Sequence, residues 1–245
     1  MKGEWALNPA NLTVQRSELK YYVSNSQCFL LAARLQHVLT PDEHSKPGIG
    51  YFIRSLYFDS ADDKCLHEKQ SGLLFRKKYR LRIYDTAAQT VKFEIKNKFN
   101  NQIFKESAIL SRESAKRIID GEYEELLKYQ NPVLNKAFIE FSSHLYRPKV
   151  IVDYDRDAFV GGFFNLRVTM DKNLKSNNSD FDIFSSTLQT IPVILEGKQI
   201  LEIKYNEVFP DYVRGIVQPG AFERCAISKY TLGRRFMKHN KWEDN

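Results

Sequence analysis

The sequence predicts an α+β chain built around one closed antiparallel β-barrel with a polar lumen and helices packed on the outside. Three observations lead there. Five segments alternate charged with apolar residues at the strand period of two. Amphipathic helical patterns are few and fall between the strand segments. Nothing across the 245 residues resembles a linker, a repeat of fixed period or a low-complexity tract, so residues 1–245 read as a single domain.

Taken in order, residues 1–15 read as a loose lead-in and Glu18–Val23 as the first strand. Ser24 caps a helix to about Leu39, with Phe29, Leu30, Ala33 and Val38 near one face. Thr40 to Gly50, holding Pro41, Pro47 and Gly48, reads as a loop. Strands follow at Tyr51–Phe58, Leu74–Tyr84, Thr90–Lys98 and Ile103–Leu110. Ser111 caps a helix through Ile119 that Gly121 ends, with a short helix near Glu124–Tyr129. Pro132 starts another to about Tyr146, with Leu134, Phe138, Phe141 and Leu145 at helical spacing. Lys149–Phe159 and Asn165–Asp171 read as strands joined by a turn at Gly161-Gly162. Lys172 to Asp182 reads as a mobile loop, Val193–Lys198 and Gln199–Tyr205 as strands. A last helix follows Ser228, with Leu232 and Phe236 four apart.

Composition sets the class. Hydrophobic residues make up 42%, enough for a core, and 37 Lys and Arg against 30 Asp and Glu give a net charge of +7. That excess suggests an anionic partner only if its placement is organised. No stretch reads as a transmembrane helix or a secretory leader, which points to a cytoplasmic protein. Cys28, Cys65 and Cys225 are odd in number and widely spaced, so they read as small apolar residues in a reducing setting.

The placement is organised. Side chains two apart share a strand face. Arg76, Lys78, Arg80 and Arg82 therefore share one face, against Tyr79, Leu81 and Ile83 on the other. Lys92, Glu94, Lys96 and Lys98 oppose Val91, Phe93 and Ile95. Glu18 with Lys20, Glu202 with Lys204, and Arg167 with Thr169 and Asp171 repeat the design. One such strand is an ordinary half-buried strand with a solvated face. Five, with like charges in rows, predict enclosure around something negative. Arg forks and Lys ammonium groups suit phosphate oxygens. Glu202 is either a divalent-cation ligand bridging to phosphate or a plain ion-pair partner of Lys204 or of a cross-strand cation. No Walker loop, no GxGxxG and no histidine pair at metal spacing occurs, and Ser228-Lys229 lacks the context of a nucleophilic serine. The cationic rows alternate with apolar residues and not with stacking aromatics, so no nucleic acid is expected as a partner.

These segments resemble the triphosphate tunnel metalloenzyme superfamily, and in their order the VTC domain, its polyphosphate polymerase module. The resemblance is carried by Glu-Leu-Lys-Tyr at 18–21, Arg-Ser-Leu-Tyr-Phe-Asp-Ser at 54–60, Lys-Tyr-Arg-Leu-Arg-Ile-Tyr at 78–84 and Phe-Glu-Ile-Lys-Asn-Lys at 93–98. It continues through the segment 147–159, Leu-Arg-Val-Thr-Met-Asp at 166–171, Leu-Glu-Ile-Lys-Tyr at 201–205 and Ile-Ser-Lys-Tyr at 227–230, a span of about 16–236. It implies a cationic tunnel that moves the terminal phosphate of ATP, or of another triphosphate, onto polyphosphate with Mn2+ or Mg2+. By position Lys20, Arg54, Arg80, Arg82, Lys96, Lys98, Tyr154, Arg156, Arg167, Lys204, Ser228 and Lys229 would bind phosphate, with Lys105 a further addition. Lys229, Arg80, Arg82 and Glu202 would carry catalysis, with Glu202 as the metal ligand. Lys98 stands where the eukaryotic enzyme has histidine, and Ala226 where it has lysine. The resemblance also admits a triphosphate hydrolase or a module that only binds polyphosphate or nucleotide. No direct membrane insertion is expected, so any coupling to a membrane would need a separate membrane protein as partner.

Overall fold

The computed structural model describes residues 16–45, 50–100, 102–218 and 221–235. The expected lead-in at 1–15 and Phe236 lie outside the described residues.

Among the described residues ten strands form one antiparallel sheet. They are β1 (Arg16–Ser24), β2 (Thr40–Pro41), β3 (Tyr51–Asp59), β4 (Phe75–Ile83), β5 (Thr90–Phe99), β6 (Gln102–Ser111), β7 (Arg147–Val160), β8 (Arg167–Asn177), β9 (Ile191–Pro192) and β10 (Lys198–Asn206). The order is β1-β10-β8-β7-β3-β4-β5-β6, with β2 pairing β7 and β9 pairing β8. Among the described residues the helices are α1 (Asn25–Leu35), α2 (Lys64–Gln70), α3 (Arg112–Ile119), α4 (Pro132–Ser143), α5 (Asp211–Val217), α6 (Lys229–Arg235) and a 3-10 helix at Tyr123–Tyr129.

The α+β class is as expected, but the barrel is not closed. Its two ends, β1 and β6, share no ladder. The edge of β1 that a closing strand would need is used by the chain near residue 225. Tyr21 bridges Arg224, and the Cys225 amide donates to the Lys20 carbonyl at 2.9 Å. The sheet nevertheless curls until side chains span the gap. Lys96 of β5 reaches Glu18 of β1 at 3.1 Å.

The apolar strand faces point outward under helices. Leu81, Val91, Phe93 and Ile95 pack with Ala115 and Ile118 of α3 and Leu134 and Phe141 of α4. Val168, Met170, Leu201 and Ile203 pack with Cys28, Leu31 and Leu35 of α1 and Val213 and Val217 of α5. The helix α6 departs from the outside arrangement. Its Gly233 sits where a Cβ would come within 2.9 Å of Val150 and 3.2 Å of Val152. Those valines share a face of β7 with Tyr154 and Arg156, so α6 packs on the inner face of the curl.

Other expectations shift locally. Ser24 does cap α1, with the Gln27 amide donating to its Oγ and the Gln27 side chain returning the bond. The buried face of α1 is Cys28, Leu31 and Leu35, while Phe29 is 75% exposed and Leu30 and Val38 are exposed too. In α4 the buried set is Leu134, Ala137 and Phe141, with Leu145 exposed. The segment expected as a loop from Lys172 instead prolongs β8 to Asn177, because β7 is long enough to pair it up to Ile151. The expected strand Val193–Lys198 is absent; pairing stops at Ile191–Pro192. The helices α2 and α5, seven residues each, are too short for a helical period to stand out in the sequence. Cys28 and Cys65 are buried and Cys225 is half-buried, all with free thiols.

Gly50 opens β3 at φ +71°, and a Cβ there would lie 2.5 Å from the Arg156 carbonyl oxygen. Both the backbone conformation and the contact demand glycine. Gly50→Ala is expected to cost about 2 kcal/mol. The readout is a lower urea midpoint with an unchanged slope.

Candidate functional site

The curl encloses a cavity of about 870 Å³. Among the described residues twelve Lys or Arg side chains line it, against two carboxylates, Glu18 and Glu202. Strand parity explains nine of the twelve, since the charged rows face inward and the apolar rows face the helices; Lys69 and Lys229 come from α2 and α6, and Arg224 from the loop that bridges to β1.

Three groups of carboxylates hold the cations in place. Glu94 is buried and is shared by three cations. Arg80 contacts it at 2.7 Å, Arg82 at 3.7 Å and Lys105 at 3.1 Å. Burial pushes the Glu94 pKa up, but Arg80, Arg82 and Lys105 outweigh it and hold Glu94 well below the usual carboxylate range. Arg80 also donates to the Tyr57 hydroxyl, and Arg82 to Ser55 and the Tyr154 hydroxyl, each at 3.1 Å.

The second anchor is Asp171, fully buried on β8. Arg156 grips it with two bonds of 2.6 and 2.8 Å, and Lys229 of α6 meets the same carboxylate. Lys229 and Arg156 also lie 4.8 and 5.3 Å from the Tyr154 ring centre. Burial raises the Asp171 pKa, and Arg156 with Lys229 brings it down to about 2.

The third anchor spans β1 and β10, whose register sets Lys20 opposite Glu202 and Glu18 opposite Lys204. The Lys20 ammonium sits 2.7 Å from Glu18 and 4.0 Å from Glu202, and Lys204 is 2.5 Å from Glu202. Burial works against the Lys20 charge, yet Glu202 and Glu18 raise its pKa overall. Glu18, opposed by burial and by Glu202, is still drawn to about 2 by Lys20, Lys96 and Lys204.

Ten of the expected residues thus converge on the cavity: Lys20, Arg80, Arg82, Lys96, Lys98, Tyr154, Arg156, Lys204, Ser228 and Lys229. Glu202 joins them. Arg54 does not. It occupies the outer face of β3, held by two bonds to Asp153 at 2.8 and 2.7 Å and by the carbonyls of Ile183 and Ser185. Its parity differs from that of Ser55 and Tyr57, whose partners Arg82 and Arg80 line the cavity. Arg167 lies on the inner face of β8 but spends its guanidinium on the Tyr51 hydroxyl at 3.1 Å and on Asp42 at 2.9 Å. The sequence gives Glu94, Asp171 and Glu18 no role as anchors, and it sets Lys78 in the inward row without naming it as a ligand; Lys78 donates to Ser228 at 2.8 Å. Their parity was the available signal.

Among the described residues no group of three or more His, Cys, Asp or Glu side chains gathers to make a metal cage. Glu18 and Glu202, on adjoining strands of one cavity wall, suit a hard divalent cation that takes water and substrate oxygens as its other ligands. Among the described residues no helix is long and apolar enough to cross a membrane.

The sequence profile of the VTC domain matches residues 15–238. The chain belongs to the VTC domain family. No curated protein sequence matches this VTC domain. Among solved structures it is similar to a Hippeastrum adenylyl cyclase candidate with a dominant triphosphatase activity. That likeness has 13% identity, 93% of this chain, 98% of that one and a TM-score of 0.53. It is also similar to an adenylate cyclase candidate from Bacillus halodurans, at 14% identity, 87% of this chain, 95% of that one and a TM-score of 0.48. The Hippeastrum likeness establishes a shared fold and nothing more.

A depressed carboxyl pKa contributes stability that is present above its ordinary value and is lost as pH falls through the folded value. Asp171 drops from 3.8 to about 2 and Glu18 from 4.5 to about 2. Asp171 alone then contributes about 2 kcal/mol at neutral pH. The urea midpoint is expected to hold steady above pH 5 and to fall between about pH 4.5 and pH 2. Asp171→Asn should lower it at pH 7 by leaving Arg156 and Lys229 buried without a counter-charge.

Proposed function

We propose that this VTC domain is a metal-dependent phosphotransferase that takes the terminal phosphate of ATP, or of another triphosphate, and adds it to polyphosphate. The observation that carries this reading is the convergence, among the described residues, of twelve cations and two carboxylates on one cavity. Phosphoryl transfer needs charge neutralised on the transferring oxygens and an acceptor held in line, both of which a preorganised cationic tunnel supplies.

Each group has a part. Arg80, Arg82 and Arg156 present guanidinium forks pinned by Glu94 and Asp171, so they meet phosphate oxygens with little reorganisation. Lys20, Lys96 and Lys204 add point charges, and Tyr154 and Ser228 add hydroxyl donors. Lys229 shares Asp171 with Arg156 and, with a triphosphate present, would divide its charge between that carboxylate and the transferring phosphate. Glu202, with Glu18 beside it, would hold Mn2+ or Mg2+. When bound, such an ion neutralises phosphate oxygens. No covalent nucleophile is needed. The reading places the protein in the cytoplasm, with any delivery across a membrane left to a separate membrane protein.

Two observations favour other outcomes of the same site. Ala226 lines the cavity where the resemblance has a lysine, which favours a module that binds without turnover. The triphosphatase activity of the Hippeastrum protein favours hydrolysis, with water as acceptor.

Incubating the purified protein with ATP and Mn2+ or Mg2+ is expected to yield long-chain polyphosphate. Glu202→Gln should lower the rate roughly hundredfold while leaving the circular dichroism spectrum unchanged. Orthophosphate without polymer would favour the hydrolase, and tight ATP binding without turnover the binding module. Absence of both binding and turnover with either metal would sink all three.

A further inference from the structure

The ladder between β4 and β5 arranges charge in rungs. Arg80 faces Glu94, a rung of opposite sign. The next two rungs toward the β4–β5 hairpin's open end are Lys78 against Lys96 and Arg76 against Lys98. Like charges directly opposite one another destabilise an antiparallel pair, and here two such rungs follow in succession on the cavity face. Glu18 relieves Lys96 at 3.1 Å. Arg76, Lys78 and Lys98 have no carboxylate within 4.0 Å among the described residues. Neither does Lys69, which α2 delivers to the same wall.

The contrast with the inner cations is sharp. Arg80, Arg156, Lys204 and Lys229 each hold a carboxylate at ion-pair distance. The outer group instead crowds together. Burial lowers the pKa of Lys69, Lys78 and Lys98, and neighbouring cations lower them further. A second cavity of about 340 Å³ shares Lys69 and Ser228 with the first, adds Arg235 and, among the described residues, has no carboxylate in its lining.

We propose that Lys69 and Arg76, with Lys98, form an outer anion subsite for the phosphates of a linear chain longer than a triphosphate. The inference rests on the tunnel reading above and deepens it. A triphosphate held by the inner cations leaves the Arg76–Lys98 rung and Lys69 uncompensated, whereas a longer chain reaches them and removes their repulsion. The subsite therefore selects by chain length. It binds the part of the polymer that does not react.

The test compares tripolyphosphate with long-chain polyphosphate by titration calorimetry on the full chain. Wild-type protein is expected to bind both, the long chain more tightly. Lys69→Ala/Arg76→Ala should weaken the long chain roughly tenfold and tripolyphosphate by far less. Its salt dependence should become shallower by about 1 to 2 in the log–log slope. Lys69→Glu/Arg76→Glu should exaggerate the difference, and matched melting temperatures show that both variants fold. Unchanged long-chain affinity in both variants would overturn the subsite, as would an equal loss for both anions. A single-stranded oligonucleotide that binds as tightly as the long chain, with the same losses, would show a general polyanion patch and also overturn it. Failure of wild-type protein to bind either anion would overturn the tunnel reading itself, and the subsite with it.

Discussion

A few buried carboxylates make the rest of the structure tolerable. Rows of cations on the concave face of a curled sheet repel one another, and the walls around them are poor in water. Glu94 divides Arg80, Arg82 and Lys105 between its two oxygens. Asp171 does the same for Arg156 and Lys229, and Glu18 with Glu202 for Lys20, Lys96 and Lys204. Glu94 ties the consecutive strands β4, β5 and β6, whereas Asp171 reaches α6 through Lys229, and Glu18 with Glu202 joins β1 to β5 and β10, elements distant in sequence. The counter-charges therefore hold the curl together as well as the cations. The clearest case is Lys96 to Glu18, which spans the gap that no backbone ladder closes.

The anchors also explain how a helix comes to sit inside. Lys229 starts α6 and is tied to Asp171 at its N-terminal end. Asp59, fully buried at the end of β3, accepts from the Cys65 and Leu66 amides of α2 at 2.8 and 3.0 Å and from the Tyr230 hydroxyl of α6. Arg234 adds a 2.7 Å bond to Asp63, the residue before α2. One carboxylate on β3 thus orients both short helices. These helices bring Ser228, Lys229 and Lys69 to the cavity, and neither would be stable alone at seven residues.

Much of this was legible because strand parity is a strong rule. The inward rows Arg76 to Arg82 and Lys92 to Lys98, the outward Leu81, Val91 and Phe93, and the caps Ser24 and Ser111 follow from local spacing. What escaped depends on distant partners. Arg54 reads as a phosphate ligand from its motif, yet parity puts it opposite Asp153 on the outer face. The face of α1 was misread because Phe29 and Leu30 are the bulkier residues, while the sheet accepts Cys28, Leu31 and Leu35. Closure was misread because nothing in a strand's own sequence says whether its far edge meets another strand or, as at Tyr21, a returning loop. The prolonged β8 escaped for the same reason: Lys172 to Asn177 is polar and gains its order from β7.

Compensation is therefore graded along the cavity, and the gradient is a property of register. Placing Glu94 opposite Arg80 concentrates the negative charge of β5 at the inner rung. Shifting β5 by one residue would turn that carboxylate and the apolar set Val91, Phe93 and Ile95 to the wrong faces together. The apolar core beneath α3 and α4 thus fixes the electrostatics of the opposite face. Where a carboxylate is near, a guanidinium is held rigid and can meet a charge that develops during reaction. Where none is near, repulsion is left for a ligand to relieve, and the relief becomes binding energy. A single ladder accordingly supplies a preorganised inner region and an unsatisfied outer one, set by which side chains β4 and β5 place across from each other.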